Sequence, residues 1–312
     1  MTWILALEGG GTRSQAVLVD EQGQVRGSAF SRDVNTNFTA FDQAQESVRE
    51  AVRGVLSSAG ISGKEVTWLV SALVGPRFGA ETYGSLCPRA EYHYYGESQV
   101  VFARAGLYRP HGAALVAATG ATAWAVRQDD GRQYACGGWG SLLGDEGSAY
   151  ALGLGLLRAS TRAFEGRLGP ATRLPDVIAA HFGLNVSNYR HELVRLAYGK
   201  PLSRAEIAGL APIATRLAAE GDETARRLVD ETARDLADVA LHAVRTLFGP
   251  QETFPVVAAG GMIAAGDVIL APLREALARE FPLARLLIGS EDPALALARL
   301  ARFDLTHQES AC

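Results

Sequence analysis

The densest chemical signal in this sequence is the stretch CGGWGSLLGDEGS at residues 136–148. Five glycines surround one aromatic residue, Trp139, and two adjacent carboxylates, Asp145 and Glu146. Sugars are commonly held by carboxylates that accept hydroxyl protons beside an aromatic face. The simpler alternative is an acidic helix cap at Asp145, but a cap needs one carboxylate and no run of glycines. The stretch therefore predicts a ligand site in which Asp145 and Glu146 accept hydrogen bonds from hydroxyl groups.

Two short turns rich in small residues could hold phosphate groups. The first is EGGGTRS at residues 8–14, and the second is AATGAT at residues 117–122. Glycines let the backbone approach a ligand and turn its N–H groups toward an anion. A carboxylate at a strand end, here Glu8, can hold a hydrated Mg²⁺ ion, while Thr12 can bond a phosphate oxygen. Plain hairpin turns are the alternative, although three successive glycines exceed what a hairpin needs.

Two further segments are ambiguous on their own. Glu97 stands where a predicted strand gives way to a helix, so its carboxylate could accept the proton of a hydroxyl group. It could equally stabilise the first helical turn through the helix dipole. Gly260 and Gly261 follow a predicted strand, and they could lie flat against a nucleotide base or ribose. They could also form an ordinary strand-to-helix connection.

The elements that must position these residues follow a pattern that occurs twice. A strand at 4–7, a glycine turn and a strand at 16–19 are followed by a turn that contains aspartate. The same order recurs with strands at 114–118 and 123–126. An internal duplication of this kind predicts two similar α/β domains, each of which offers one turn of small residues.

Hydrophobic periodicity predicts the remaining elements. They are a helix that begins near Phe41 and ends at Gly60, strands at 66–74 and 92–95, a helix from about 98, a long helix at 223–247, and a strand–helix–strand–helix order from 254 to 303. We therefore expect a first domain over residues 1–112 and a second over 113–312. The second would carry a helical insertion at about 150–248. Packing of the last helix on the first domain stays open as an alternative.

The composition indicates a globular chain and excludes several classes of function. Hydrophobic residues make up 48% and the net charge is −4, and no basic cluster occurs, so we expect no nucleic-acid partner. The cysteines, Cys87, Cys136 and Cys312, are scattered without a CxxC pair, which favours a reducing compartment and gives zinc or iron–sulfur sites no support.

No signal peptide or membrane span is predicted. The N-terminus lacks a basic region and a cleavage site. The most apolar long stretch, 254–273, contains three glycines and, near its end, Pro272, which is typical of a strand, a turn and a helix. We expect a cytoplasmic protein with no membrane partner.

At CGGWGSLLGDEGSAY the sequence resembles the N-acetylglucosamine kinase family, within the group of benzoyl-CoA-reductase-activator-like ATPases. EGGGTRS and AATGAT resemble the family's two phosphate motifs, AAGGMI resembles its adenosine motif, and Asn35-Thr36-Asn37 resembles its sugar-contacting segment. The resemblance covers nearly the whole chain. It implies an α/β protein of the actin/hexokinase/heat-shock-chaperone superfamily, with two ribonuclease-H-like domains and ATP in an interdomain cleft.

The resemblance also implies a role for each site residue in an ATP-dependent amino-sugar kinase that uses Mg²⁺, with N-acetylglucosamine phosphorylated at O6 as the first expectation. Glu97 would be the catalytic base and Glu8 the metal-positioning carboxylate. Sugar contacts would come from Asn37, Thr119, Asp145 and Glu146; ATP contacts would come from Gly10, Gly11, Thr12, Arg13, Thr119, Gly120, Gly260 and Gly261.

Three residues depart from the family pattern: Glu8 and Glu97 replace aspartates, and Ala118 replaces a glycine. These changes leave open a catalytically weak sugar or nucleotide sensor. Glucosamine, N-acetylmuramic acid and glucose stay open as alternative substrates, and a homodimer stays open as an assembly. An activator of a radical dehydratase is disfavoured, because such relatives use cysteines to hold an iron–sulfur cluster.

Overall fold

The protein is described by a computed structural model that covers residues 2–75, 77–168, 172–199 and 202–308. The chain forms two compact units: residues 1–110 with 288–312 make the first, and residues 111–287 make the second. Both units combine strands with helices, which confirms the predicted α/β class. Cys312 lies outside the described residues, whereas Cys87 and Cys136 are free thiols.

The described residues form ten strands and eleven α-helices. In chain order they are β1 (Ile4–Gly9), β2 (Arg13–Val19), β3 (Val25–Arg32), α1 (Phe41–Ala59), β4 (Trp68–Leu73), α2 (Ala80–Tyr83), β5 (Glu91–Tyr94), α3 (Glu97–Ala103), β6 (Gly112–Ala117), β7 (Ala121–Val126), β8 (Gln133–Gly137), α4 (Ala149–Phe164), α5 (Leu174–Phe182), α6 (Tyr189–Gly199), α7 (Arg204–Ala208), α8 (Ala211–Ala219), α9 (Glu223–Leu247), β9 (Pro255–Ala259), α10 (Asp267–Glu280), β10 (Arg285–Ile288) and α11 (Pro293–Gln308).

Each unit is built on one five-stranded sheet, and the two sheets share one topology. The strand orders are β3-β2-β1-β4-β5 and β8-β7-β6-β9-β10. In both sheets the first three strands are antiparallel neighbours, and the central strand pairs in parallel with the strand that follows in the order. The duplicated pattern of the sequence is therefore present in the sheets.

The first sheet is buried on both faces. Leu5 and Leu7 of β1 belong to one apolar cluster with α1, while Ile4 and Ala6 belong to another with α3 and α11. Alternate residues of a strand point to opposite faces, so a doubly covered strand has a continuous apolar run rather than an alternating one. This burial explains the unbroken sequence Ile-Leu-Ala-Leu.

The spacing of apolar residues and a terminal glycine explain where helix α1 forms and ends. Apolar residues at Ala44, Val48 and Val52 recur every four positions and are fully buried, which gives the helix one apolar side. Gly60 ends the helix in a left-handed conformation at φ 66°, where glycine carries no steric penalty.

The second unit places its helices around one large apolar cluster that includes residues of α4, α5, α8, α9 and α10. Helix α9, the longest, begins after Asp222, whose side chain accepts a hydrogen bond from the Ala225 amide. The predicted long helix over 223–247 is confirmed with these bounds. Among the described residues, no helix is both long enough and apolar enough to cross a bilayer.

Strands β3 and β8 were not predicted from the sequence. Both lie at an edge of their sheet, and exposed positions recur along each of them. An edge strand that faces water needs few apolar residues, so its hydrophobic pattern is weak.

Candidate functional site: two half-sites at the sheet edges

The first glycine turn joins β1 to β2 at the end of the first sheet. Gly9 pairs with Ser14, and the Gly10 amide donates to the Arg13 carbonyl at 3.1 Å. A Cβ added to Gly9 would lie 2.6 Å from Val34, so the fold itself requires that glycine. A Cβ on Gly10 would meet nothing within 4 Å, and its φ is not positive. The fold places no steric demand on Gly10, and the space beside its backbone would allow a ligand to approach closely.

Glu8 lies directly before this turn, near the carboxyl end of β1 and half-buried. Its pKa is raised from 4.5 to about 7, first by burial and then by repulsion from Glu97 and Asp292. Arg104 and Arg13 act in the opposite direction. Burial and the two nearby carboxylates therefore disfavour the ionised form of Glu8.

Glu97 is the first residue of α3, at the same edge of the sheet as Glu8. The Tyr95 amide continues the pairing of β5 with β4 by donating to the Ser71 carbonyl at 2.8 Å, and two residues later the chain reaches Glu97. The side chain is open to water. The protein packed around the carboxyl nevertheless limits its hydration and raises the pKa of Glu97 from 4.5 to about 7, which moves the carboxylate toward the range of a useful general base.

The sequence did not single out two charged neighbours of Glu8. Arg104, at the end of α3, donates from Nε to the Glu291 carbonyl at 2.8 Å, and burial lowers its pKa while Glu8 and Asp292 oppose that effect. Asp292 accepts a hydrogen bond from the Leu295 amide and so caps α11. The Asp-Pro step before a helix signals a cap, but nothing local in the sequence relates either residue to Glu8.

The segment Asn35-Thr36-Asn37 is held beside the first glycine turn, because the Val34 amide donates to the Gly10 carbonyl at 3.3 Å. Asn35 is buried, and its Oδ1 accepts from the Asn37 amide at 3.0 Å. Asn35 therefore fixes the turn, whereas the Asn37 side chain is exposed and available to a ligand. Arg13 is exposed as well, with its guanidinium 4.9 Å from the ring centroid of Phe30.

The second turn, Ala118–Gly120, joins β6 to β7 at the corresponding place in the second sheet. The Ala118 amide donates to the Gly120 carbonyl at 2.9 Å. The first amides of α4 hold the turn from outside: Ala149 donates to Ala118 at 2.9 Å and Tyr150 to Thr119 at 3.3 Å. These bonds fix the half-buried Thr119 at this edge of the sheet.

The stretch CGGWGSLLGDEGS forms the end of β8 and an irregular loop before α4. Four of its glycines have positive φ between 73° and 84°, and Asp145 has φ 65°. This backbone is available to glycine and is tolerated by aspartate. Ser148 ends the loop and caps α4 by accepting a hydrogen bond from the Ala151 amide, so the simpler alternative, a helix cap at Asp145, is wrong.

The two adjacent carboxylates of this loop have different surroundings. Asp145 is 3% exposed and accepts hydrogen bonds from the Ala121 amide and from Arg204, the latter at 2.9 Å. Burial raises the pKa of Asp145, and Arg204 opposes that change. Glu146 is exposed. The structure thus brings Asp145 against the second turn and leaves Glu146 open to water.

Three large apolar side chains of the loop are exposed: Trp139 by 73%, Leu142 by 93% and Leu143 by 73%. Among the described residues, no group of three or more histidine, cysteine, aspartate or glutamate side chains is arranged to hold a metal ion.

Gly260 and Gly261 follow β9, which pairs in parallel with β6 beside the second turn. Gly260 has φ 112°, and a Cβ there would lie 2.3 Å from the Ala117 carbonyl oxygen, so the fold requires this glycine. A Cβ on Gly261 would meet nothing within 4 Å. The second unit therefore gathers the predicted ATP residues Thr119, Gly120, Gly260 and Gly261 at one sheet edge, and Gly261 is the member that the fold leaves free to approach a ligand.

The chain matches the model of the BadF/BadG/BcrA/BcrD ATPase family over residues 7–282. It therefore belongs to this family, and the family resemblance stated from the sequence is confirmed.

Individual relatives extend the comparison. The N-acetyl-D-glucosamine kinase of Dictyostelium discoideum is 25% identical, with 95% of this chain and 97% of that protein aligned. The N-acetylmuramic acid/N-acetylglucosamine kinase of Clostridium acetobutylicum is 22% identical over 97% of this chain and 99% of its own length.

A solved structure from Chromobacterium violaceum, provisionally named an N-acetylglucosamine kinase, superimposes with a TM-score of 0.70. It is 21% identical and aligns over 96% of this chain and 99% of that one. Together with the two matching sheets, this similarity confirms the predicted actin/hexokinase-like ATPase fold.

Proposed function

We propose that this protein is an ATP-dependent amino-sugar kinase. The observation that carries the proposal is the recurrence of a phosphate-type turn at the same place in two sheets of one topology, with the acids Glu8 and Glu97 beside the first turn. Membership of an ATPase family supports the use of ATP. The names of the two relatives support an amino sugar as the acceptor.

In this proposal Glu97 accepts the proton of the attacking sugar hydroxyl. Its position at the carboxyl edge of the sheet leaves the carboxylate open, and its raised pKa brings its basicity closer to neutral pH. Phosphoryl transfer asks little covalent chemistry of a protein, so positioning and charge neutralisation provide most of the rate. The open turn at Gly10, Gly11 and Thr12, with Arg13, provides amides, a hydroxyl and a positive charge for phosphate oxygens.

Thr119 and Gly120 would hold phosphate oxygens from the second unit, and Gly260 and Gly261 would adjoin the adenosine. Asn37, Thr119, Asp145 and Glu146 would bind sugar hydroxyls. An exposed amide and an exposed carboxylate, Asn37 and Glu146, suit hydroxyl groups because each can exchange a bond to water for a bond to the ligand.

The residues present fit a Mg²⁺ ion at Glu8. The donor is a carboxylate oxygen, which this hard cation prefers, and Glu8 lies in a field of like charges from Glu97 and Asp292. Bound there with ATP, Mg²⁺ would neutralise charge on the phosphate oxygens. Glu8 would orient the ion, and Arg104 would limit the excess negative charge around it.

We propose N-acetylglucosamine, phosphorylated at O6, as the first substrate to test. Glucosamine, N-acetylmuramic acid and glucose are the competing acceptors. The domain limits 1–112 and 113–312, with the last helix packed back on the first domain, also stand as a proposal. A cytoplasmic location, where ATP is plentiful, and a homodimer as one assembly state are proposed as well.

The direct test is ADP release with a panel of these four sugars, with 6-deoxy-N-acetylglucosamine as the acceptor that lacks O6. We expect ADP release only with sugar and Mg²⁺, and none with the 6-deoxy compound. Glu97→Gln should lower kcat by roughly a hundredfold or more, the range of general-base contributions, while sugar affinity is kept. Glu91→Gln, the same change at the opposite end of β5, is the control.

Sugar-independent ATP hydrolysis, or a normal kcat in Glu97→Gln, would contradict the proposed chemistry. Sugar binding without turnover under any condition would instead identify the catalytically weak sensor.

A further inference from the structure

We propose that Arg204, the first residue of α7, is a positioning residue that holds Asp145 in place beside the second phosphate turn. The inference rests on the proposed function and adds a residue outside the motifs to its machinery. Arg204 Nη2 lies 2.9 Å from Asp145 Oδ2, and the two side chains are 16% and 4% exposed. Ion pairs at the surface contribute little, but a charge with so little access to water depends on its partner.

Asp145 is held against the turn by its other contacts. The Ala121 amide donates to its carboxylate, and a Cβ added to Gly120 would lie 3.0 Å from Asp145 Oδ1. The backbone of Asp145 is left-handed at φ 65°. A non-glycine residue keeps such a conformation only where its surroundings determine it strongly, and the bond to Arg204 is one of those determinants.

Arg204 is itself placed by close packing between helices. A Cβ on Gly153 of α4 would lie 1.9 Å from the Ile207 carbonyl oxygen, so α7 rests directly on the backbone of α4. Ser203 and Glu206 form a reciprocal cap that begins α7 at Arg204. The guanidinium then lies 5.8 Å from the ring centroid of Tyr150, whose amide binds the Thr119 carbonyl of the turn.

The charges around Asp145 define what the loss of Arg204 would do. Burial and the neighbouring Glu146 favour the protonated carboxyl, whereas Arg204 on α7 and the Ala121 amide on β7 favour the carboxylate. Without Arg204, Asp145 protonates at a higher pH and is free to leave its orientation. Both changes would remove the hydroxyl acceptor from the sugar site.

The test compares Arg204→Gln, Arg204→Lys and Asp145→Asn with the wild-type protein. Arg204→Gln should raise the KM for sugar about ten- to a hundredfold, which corresponds to the energy of a hydrogen bond to a charged group. The change in kcat should be smaller, and the loss of sugar affinity should grow toward low pH. Arg204→Lys should recover part of the affinity. Arg204→Gln combined with Asp145→Asn should be no worse than the poorer single variant, because the two residues act as one unit.

Arg216→Gln, an exposed arginine of α8 with a long ion pair to Glu220 at 3.9 Å, is the matched control and should behave as wild type. A merely structural role would lower the melting temperature of Arg204→Gln without changing KM or the pH profile. That result, or additive effects in the double variant, would overturn the inference.

A second readout is independent of turnover. Carboxyl NMR of ¹³C-labelled protein should show the pKa of Asp145 raised in Arg204→Gln and unchanged in Arg216→Gln. An unchanged Asp145 pKa in Arg204→Gln would overturn the inference even if no sugar is phosphorylated. A wild-type protein inactive on every sugar would refute the proposed kinase alone.

Discussion

Replacing Glu97 by glutamine should lower the pKa of Glu8. Both residues lie at the carboxyl edge of the first sheet, and repulsion from Glu97 ranks directly after burial among the causes that raise the Glu8 pKa to about 7. Glutamine keeps the size of the side chain and removes its charge. The experiment therefore isolates the electrostatic part of the shift.

The strand order gives the expected magnitude. Strand β4 lies between β1 and β5, so the two carboxyl groups are about two interstrand spacings apart, or roughly 10 Å. At that separation two unit charges repel by about 0.4 kcal/mol in water and by about 1.7 kcal/mol at an effective dielectric constant of about 20. These energies correspond to about 0.3 and 1.2 pKa units. Burial is unchanged, so the pKa of Glu8 should stay above 4.5.

The assay is a pH titration of ¹³C-labelled glutamate carboxyl groups by NMR without Mg²⁺, in which the Glu8 signal is assigned from its loss in Glu8→Gln. Glu91→Gln removes a charge from the opposite end of β5 and should leave the Glu8 pKa almost unchanged. An unaltered Glu8 pKa in Glu97→Gln would refute the coupling. A fall to about 4.5 would refute burial as the larger cause.

Three more predictions follow from the contacts described above. Because the raised pKa of Glu8 means that the fold favours its protonated form, this residue lowers the free energy of unfolding progressively as pH rises from 4.5 to about 7. In urea denaturation without Mg²⁺, Glu8→Gln should therefore raise that free energy by up to about 3 kcal/mol at pH 8 and by almost nothing at pH 4. An equal gain at both pH values would contradict this. Gly153→Ala would place a methyl group 1.9 Å from the Ile207 carbonyl oxygen and should cost about 1–3 kcal/mol, and an unchanged melting temperature would show that α7 is free to move. Gly260→Ala, with φ 112° and an added Cβ 2.3 Å from the Ala117 carbonyl oxygen, should have a lower melting temperature than Gly261→Ala, whose Cβ meets nothing within 4 Å. Gly261→Ala should instead weaken ATP binding, as measured by calorimetry. A lower melting temperature for Gly261→Ala than for Gly260→Ala would contradict the roles assigned to the two glycines.

The parts of the fold that could be predicted from the sequence have local patterns. The apolar run Ile4–Leu7, the four-residue spacing in α1 and the long apolar side of α9 each lie within one element. The first turn was recognisable because three glycines in succession have few other uses. The repeat of strand, turn and strand predicted two similar α/β domains, and the two sheets do share one strand order.

The parts that could not be predicted depend on contacts between distant residues. Arg204 is 59 positions from Asp145, and Arg104 is 187 positions from Glu291. A single charged residue has no periodicity, and its partner is fixed only when the helices pack. The separate surroundings of Asp145 and Glu146 could not be predicted for the same reason, because adjacent carboxylates have identical local sequence.

The discontinuous composition of the first unit has a consequence for biosynthesis. Helix α11 packs on β1 and β2, yet some 270 residues separate the start of the helix from the end of β2, and the whole second unit lies between them. Helix α11 leaves the ribosome after the second unit, so one apolar face of the first sheet stays uncovered while residues 111–287 emerge and can fold as a continuous piece. During that interval the nascent chain exposes Ile4, Ala6 and Val17. Chaperones that bind apolar strands would therefore act on β1 and β2 until α11 has been synthesised.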